Sequence, residues 1–280
     1  MGAPTARSQC LTRTRLMVGT AVGFTALAIG LSWAVWLPLA WSASDSPIKD
    51  LGSFGPAFAA LIVVMARSDR RAAWVSRLVT WRVPLRWYAL VLSGPVVVCA
   101  AAVLVAQALG ATDLRFNDPM QLYLVVPVFL VVLVLGGPLG EEPGWRGLLL
   151  PTLTERLTFP VAGLVVGFVW AVWHLPLFLI PGTPQADLPM MAYLALTVAL
   201  GVIYGSLAQH TRGSVPVAIL LHAASNTAAG LLPVLPADAG GSVLPFLTLT
   251  AVVVLVAAAL LGRDLSRHRP WPRRMPPPAC

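Results

Sequence analysis

Apolar runs separated by short polar breaks divide this 280-residue chain into eight segments, with cores at 16–40, 51–66, 88–109, 121–137, 157–180, 189–208, 215–232 and 242–262. A hydrocarbon core of roughly 30 Å calls for about 20 mostly apolar residues per helix. The runs at 51–66 and 121–137 are the shortest. The pattern predicts an all-α, polytopic integral membrane protein of about eight transmembrane helices.

Between the second and third runs lies RSDRRAAWVSRLVTWRVPLRW, residues 67–87, where arginines alternate with Trp74, Val75, Leu78, Val79 and Trp81. Such a segment suits an amphipathic helix in the membrane interface. The end of the chain, with RPWPRRMPPP, joins helix-blocking prolines to arginines suited to anionic headgroups. The expected organisation is a cytoplasmic N-terminal tail (1–15), a single helical membrane domain (16–262) and a basic, proline-rich cytoplasmic tail (263–280). Basic residues precede the first run as they would in a signal peptide. The run exceeds the usual h-region of about 7 to 15 residues, so a retained first helix is expected.

Composition agrees with the pattern: 58% of residues are hydrophobic, 11% are charged and the mean hydropathy is +0.80, outside the range of soluble domains. Charge adds orientation. With the N-terminus in the cytoplasm, 17 of the 19 lysines and arginines fall inside, leaving only Lys49 and Arg115 outside. That asymmetry is what the positive-inside rule expects, and it puts both termini in the cytoplasm, the membrane being taken as the plasma membrane. Asp45, Asp50, Asp113, Asp118, Asp187 and Asp238 fall on the other side as solvated loop residues. The net charge of +8 follows from topology; a nucleic-acid partner would need a basic face on a soluble module, and none is present. Cys10, Cys99 and Cys280 are far apart and show no ligand spacing.

Ionisable side chains at membrane depth cost about 2.5–3.5 kcal/mol each on insertion scales and mark function. Here they are Glu141, Glu142 and Arg146 in EEPGWRG, then His174, then His222 with the polar Asn226. His210 and His268 sit beside Arg212 and Arg267 as surface residues. Residues four apart share a helix face, so Glu142 with Arg146, Trp170 with His174 and His222 with Asn226 form three pairs on three segments that could meet in one polar pocket. Arg146 would neutralise Glu142, leaving Glu141 freer to act as a base. His174 could share a water with Glu141, and His222 and Asn226 could donate to a developing oxyanion. Such a set suits attack of activated water on a carbonyl. The bland alternatives are helix-terminus charges at Glu141 and Glu142, beside Pro143, and packing histidines.

These motifs resemble those of the CPBP intramembrane proteases, which include the CAAX prenyl proteases and bacterial Abi relatives. EEPGWRG resembles the family's E-E-x-x-x-R motif, Trp170–His174 its aromatic-x-x-x-H motif, and HAASN its H-x-x-x-N motif, in family order. Trp170 departs from the phenylalanine often found there. The likeness covers about residues 137–232, the protease-like core. The resemblance implies Glu141 as catalytic base with His174 holding the water, Glu142 and Arg146 in support, and His222 with Asn226 on the oxyanion. Family members are often called metalloproteases. Glu141, His174 and His222 could offer three zinc ligands, or could activate water with no metal.

The expected activity is therefore intramembrane endopeptidase hydrolysis, at a site opening toward the cytoplasmic side. A proton-coupled transporter would spread its ionisable residues along a path and would commonly show repeats; a non-catalytic immunity or binding protein would keep the pocket for recognition. The expected partners are the lipid bilayer and a peptide or protein substrate: a prenylated C-terminal box, a leader peptide or another membrane protein.

Overall fold

Twelve α-helices account for most of the described chain, and they follow the apolar runs. The computed structural model describes residues 6–111 and 123–267, with side chains described between residues 14 and 266. The side chains of Arg7, Cys10 and Arg13, the loop residues Asp113, Arg115 and Asp118, and everything from His268 to Cys280 lie outside the described residues.

Helix α1 (Ala6–Trp41) begins within the basic segment read as a tail. A short turn, α2 (Lys49–Gly52), leads into α3 (Gly55–Ala66), and α4 (Ser68–Leu78) is the arginine–tryptophan segment. No residue of α4 is buried, in keeping with a helix lying at an interface. Then come α5 (Leu85–Ala108), α6 (Val125–Leu135) and α7 (Pro138–Gly144), a π turn at Trp145–Leu149, and α8 (Leu150–Leu153). Helix α9 (Phe159–Trp173) runs into a 3-10 turn at Leu175–Leu179, and a second such turn, Pro184–Asp187, precedes α10 (Met190–His210), α11 (Val215–Leu231) and α12 (Leu244–Arg267).

Six helical stretches are long and apolar enough to cross a membrane, and a seventh is formed if Val125–Leu135 and Pro138–Leu153, bent by 47°, count as one. Val215–Leu231 is apolar but shorter. Each of the eight runs thus maps onto helix. The fourth and seventh are not uninterrupted full-length spans.

Side-chain contacts draw the arginine-rich breaks to one end. Arg67 Nη2 donates to Leu16 O (3.3 Å) and Thr20 Oγ1 (3.1 Å), Arg156 to Thr14 Oγ1 (2.8 Å), and Arg70 pairs with Glu155 (2.9 Å). Ser214 Oγ donates to Thr80 O (2.6 Å), and Thr158 bonds Asp264. At the opposite end Trp36 Nε1 donates to Lys49 O (2.8 Å), tying α1 to α2.

Helices α9 and α10 meet backbone to backbone through two G-x-x-x-G pairs. A Cβ on Gly163 would lie 2.3 Å from Gly201 O, and one on Gly205 2.3 Å from Phe159 O. Small residues permit that approach, and dispersion between close backbones holds it. An aromatic core fills the space behind: Phe24 meets Trp145 edge-on (centroids 5.4 Å), and Trp173 meets both Trp145 (5.8 Å) and Trp36 (4.5 Å).

The break between α6 and α7 sets the site. Gly137 has φ +104°, a left-handed conformation that glycine alone adopts without strain, and Pro138 restarts the helix at its first turn. Gly140 and Gly144 then lay the α7 backbone on the start of α3, where added Cβ atoms would sit 2.5 Å from Ser53 O and from Pro56 O. The carboxylate pair consequently follows the bend, at the start of α7, with both side chains buried among the neighbouring helices. Arg146, counted among the loop arginines, is 3% exposed and belongs to the interior.

Candidate active site

Glu141, Glu142, Arg146, His174 and His222 come from α7, the π turn, the C-terminal cap of α9 and the middle of α11. All five are buried, Glu142 completely. A charge so placed is stable only when paired and hydrogen-bonded. Glu142 Oε1 accepts from Arg146 Nη1 (2.9 Å) and from His222 Nδ1 (2.8 Å). The guanidinium also lies over two rings, with Cζ 4.2 Å from the Trp170 centroid and 3.7 Å from that of Tyr204, where the ring faces add cation–π attraction. Glu142 Oε2 and Arg146 Nε and Nη2 are buried with no hydrogen-bond partner. Groups of that kind are commonly satisfied by buried water.

Trp170 joins the remaining groups. Its Nε1–H donates to Glu141 Oε2 (2.6 Å), its ring lies 5.5 Å from those of both His174 and His222, and its carbonyl takes the Nδ1–H of His174 (2.8 Å). A carbonyl only accepts, so His174 is held with its proton on Nδ1 and its Nε2 lone pair free. The carboxylate opposite Nδ1 of His222 fixes the same tautomer for the neutral ring. Glu141 Oε1 faces Gly137: it and His222 Cε1 lie 2.2 and 3.8 Å from the point where a Cβ on Gly137 would sit.

Asn226 shares the His222 face of α11, and its Nδ2 donates to Gly136 O (3.1 Å), pinning the α6–α7 break. That leaves it one further N–H. Sequence reading missed two members of the site. Tyr193 packs edge-on against His174 (5.2 Å) and Tyr204 against Trp170 (6.0 Å). Their position on α10, eleven residues apart, placed them on a helix face, but nothing in the sequence said which neighbour that face meets.

A cavity of about 760 Å³ reaches these groups. It follows one face of α10 from Tyr193 through Leu196, Leu200, Ile203 and Leu207 to His210, so at 1.5 Å per residue it runs for about 25 Å. Most of its wall is apolar and comes from α5, α6, α11 and α12 as well. The reactive groups lie toward the end away from the arginines. His174 meets Trp173 edge-on (4.8 Å), the Trp173 carbonyl takes Trp33 Nε1–H (2.9 Å), and Lys49, Asp50 and Gln185 line the cavity there. The expected opening at the arginine-rich end is met only by the apolar arm that reaches Trp87 and His210.

Among the described residues, no three His, Cys, Asp or Glu side chains gather as a metal site. Glu141 has one oxygen on Trp170 and His222 one nitrogen on Glu142, which leaves Glu141 Oε1 and Nε2 of either histidine as the atoms open to a water or a metal. No step below is assigned to a metal.

A helical membrane protein holding a carboxylate–arginine–histidine cluster in an apolar cavity is thus defined, and comparison narrows the class. Residues 123–228 match the family model of type II CAAX prenyl endopeptidase Rce1-like proteins. The CAAX prenyl protease 2 of Methanococcus maripaludis is 26% identical over 145 residues, which are 50% of this chain and 50% of that protein. The chain spans about half the length of this curated relative. The three motifs lie inside the matched segment, so the likeness to the type II CAAX prenyl endopeptidases rests on residues 123–228.

Proposed function

We propose that this protein is an intramembrane endopeptidase in which Glu141 activates water for attack on a peptide carbonyl. The observation that carries the reading is the asymmetry of Glu141: Oε2 is held by Trp170, while Oε1 takes no protein hydrogen bond among the described residues and faces the cavity that both histidines line. A water between Oε1 and His174 Nε2 loses a proton to the carboxylate as its oxygen bonds to the carbonyl carbon. The carbonyl electron pair moves to oxygen, where the second N–H of Asn226 and the Nε2–H of His222, in its imidazolium form against Glu142, stabilise the charge. Collapse of the tetrahedral species breaks the C–N bond, and Glu141 returns the proton to the departing amine. Glu142 and Arg146 hold His222 and keep the buried charges paired.

The long apolar arm supports a polypeptide substrate with an apolar group beside the cleaved bond. A prenylated C-terminal box, a leader peptide and a membrane-embedded segment all have that character; the name of the archaeal relative favours the first. In this reading the arginine-rich end faces the cytoplasm. Residues 1–15 and 263–280 then act as flanking tails, and 137–232 as the protease core.

The test compares membrane proteomes of cells carrying the intact protein and Glu141→Gln by terminal-peptide mass spectrometry, then assays the cleaved substrate with purified Glu141→Ala, His174→Ala and His222→Ala. Each variant should fold and lose cleavage. Full activity in all three would exclude the mechanism.

A further inference from the structure

At the arginine-rich end, away from the reaction centre, α4 and Arg67 before it face Leu16 of α1 and the chain from Leu148 to Glu155. They leave a crevice of about 300 Å³ lined by Arg67, Asp69, Arg70, Arg77, Thr152 and Glu155, among others. Its charges are not balanced by pairing. Glu155 pairs with Arg70 at 2.9 Å, while Asp69 is exposed in the first turn of α4 and makes no ion pair among the described residues. Arg67 bonds only neutral oxygens, Leu16 O and Thr20 Oγ1, and Arg77 only Gly147 O (3.2 Å). Arg70 Nε is buried without a partner. Burial, and then the neighbouring charge of Arg70, hold the Arg77 guanidinium below its ordinary pKa, and the carboxylate of Glu155 offsets only part of that shift.

Arginine forks suit the oxygens of a phosphate, and the remainder of α4 brings the crevice to the membrane surface. Val75, Val79 and Trp81 stand exposed beside it as interfacial anchors. We propose that this crevice binds a phosphate-bearing anion between Arg67, Arg70 and Arg77, delivered as the headgroup of an anionic phospholipid in the adjoining leaflet.

Occupancy reaches the reaction centre through two bonds. Trp74 Nε1 donates to Pro143 O (2.9 Å) and Arg77 Nη1 to Gly147 O, on either side of Arg146. An anion that orders α4 therefore also orders the helix bearing Glu141 and Glu142. The binding itself does not depend on the peptidase reading.

Thermal unfolding of the purified full chain in a neutral detergent tests the proposal, with short-chain phosphatidylglycerol, short-chain phosphatidylcholine or inorganic phosphate added. Phosphatidylglycerol should raise the midpoint by about 5 °C at saturating concentration and phosphatidylcholine should not. The double variant Arg67→Gln/Arg77→Gln should lose that rise, while Arg71→Gln, which removes a charge from α4 outside the crevice, should keep it. An equal rise with inorganic phosphate identifies the free anion as the ligand; its absence identifies the headgroup. Equal responses to both lipids, a rise retained by the double variant, or a rise lost equally in Arg71→Gln would overturn the proposal. Should the double variant not fold, Arg67→Gln alone, read by retention of phosphatidylglycerol in native mass spectrometry, decides in the same way.

Discussion

Trp170 holds the reactive carboxylate, and its donor atom is what a phenylalanine would remove. Trp170→Phe keeps the aromatic wall but deletes the bond to Glu141 Oε2. A hydrogen bond to a charged group contributes about 1.5–3 kcal/mol, so kcat should fall about 10- to 100-fold. Steady-state kinetics on a cleaved peptide should show KM nearly unchanged. Glu142 plays a different part. Breaking a buried ion pair costs about 3–5 kcal/mol because the remaining charge is stranded. Glu142→Gln and Arg146→Met should each lower the unfolding midpoint more than Glu141→Gln does, and the double variant should lose less than the sum, measured as a double-mutant cycle. Helical spacing made the Glu142–Arg146 pair legible in advance, since both residues belong to one helix. It could not reveal that His222 donates to the same oxygen, because 80 residues separate them and only packing brings them together.

At the scale of elements, glycine decides where helices touch and where they break. Gly201→Leu would drive its side chain into Gly163 O and the Gly167 backbone, 2.4 and 2.5 Å from its Cβ, and should abolish a folded, monodisperse product in size-exclusion chromatography. Gly23→Ala on α1, with nothing within 4 Å of the new atom, should elute as wild type. Both G-x-x-x-G pairs stand openly in the sequence as small residues; that each is the other's partner does not. The α6–α7 break was half legible. The apolar run ended at 137, but hydropathy cannot distinguish a polar helix end, the bland alternative for Glu141 and Glu142, from a polar bend folded inward.

For the molecule as a whole, the eight runs and the gathering of arginines were legible because membrane insertion writes both directly into composition. The position of the cavity along the membrane normal was not, since it depends on how α1, α3 and α9 stack. With the arginines inside, a lone cysteine at Gln185, introduced into a chain whose own cysteines are replaced, should react with an impermeant maleimide on intact cells. One at Arg71 should react only after permeabilisation; the reverse pattern would invert the orientation. The α9–α10 glycine contact also bears on admission to the cavity. Two helices locked backbone to backbone cannot separate to let a bulky guest pass, whereas α6 on the facing wall buries no residue at all. In the proposed reading a guest enters beside α6, sideways through the bilayer, and its rate of arrival should follow two-dimensional diffusion and lipid fluidity more than its concentration in water.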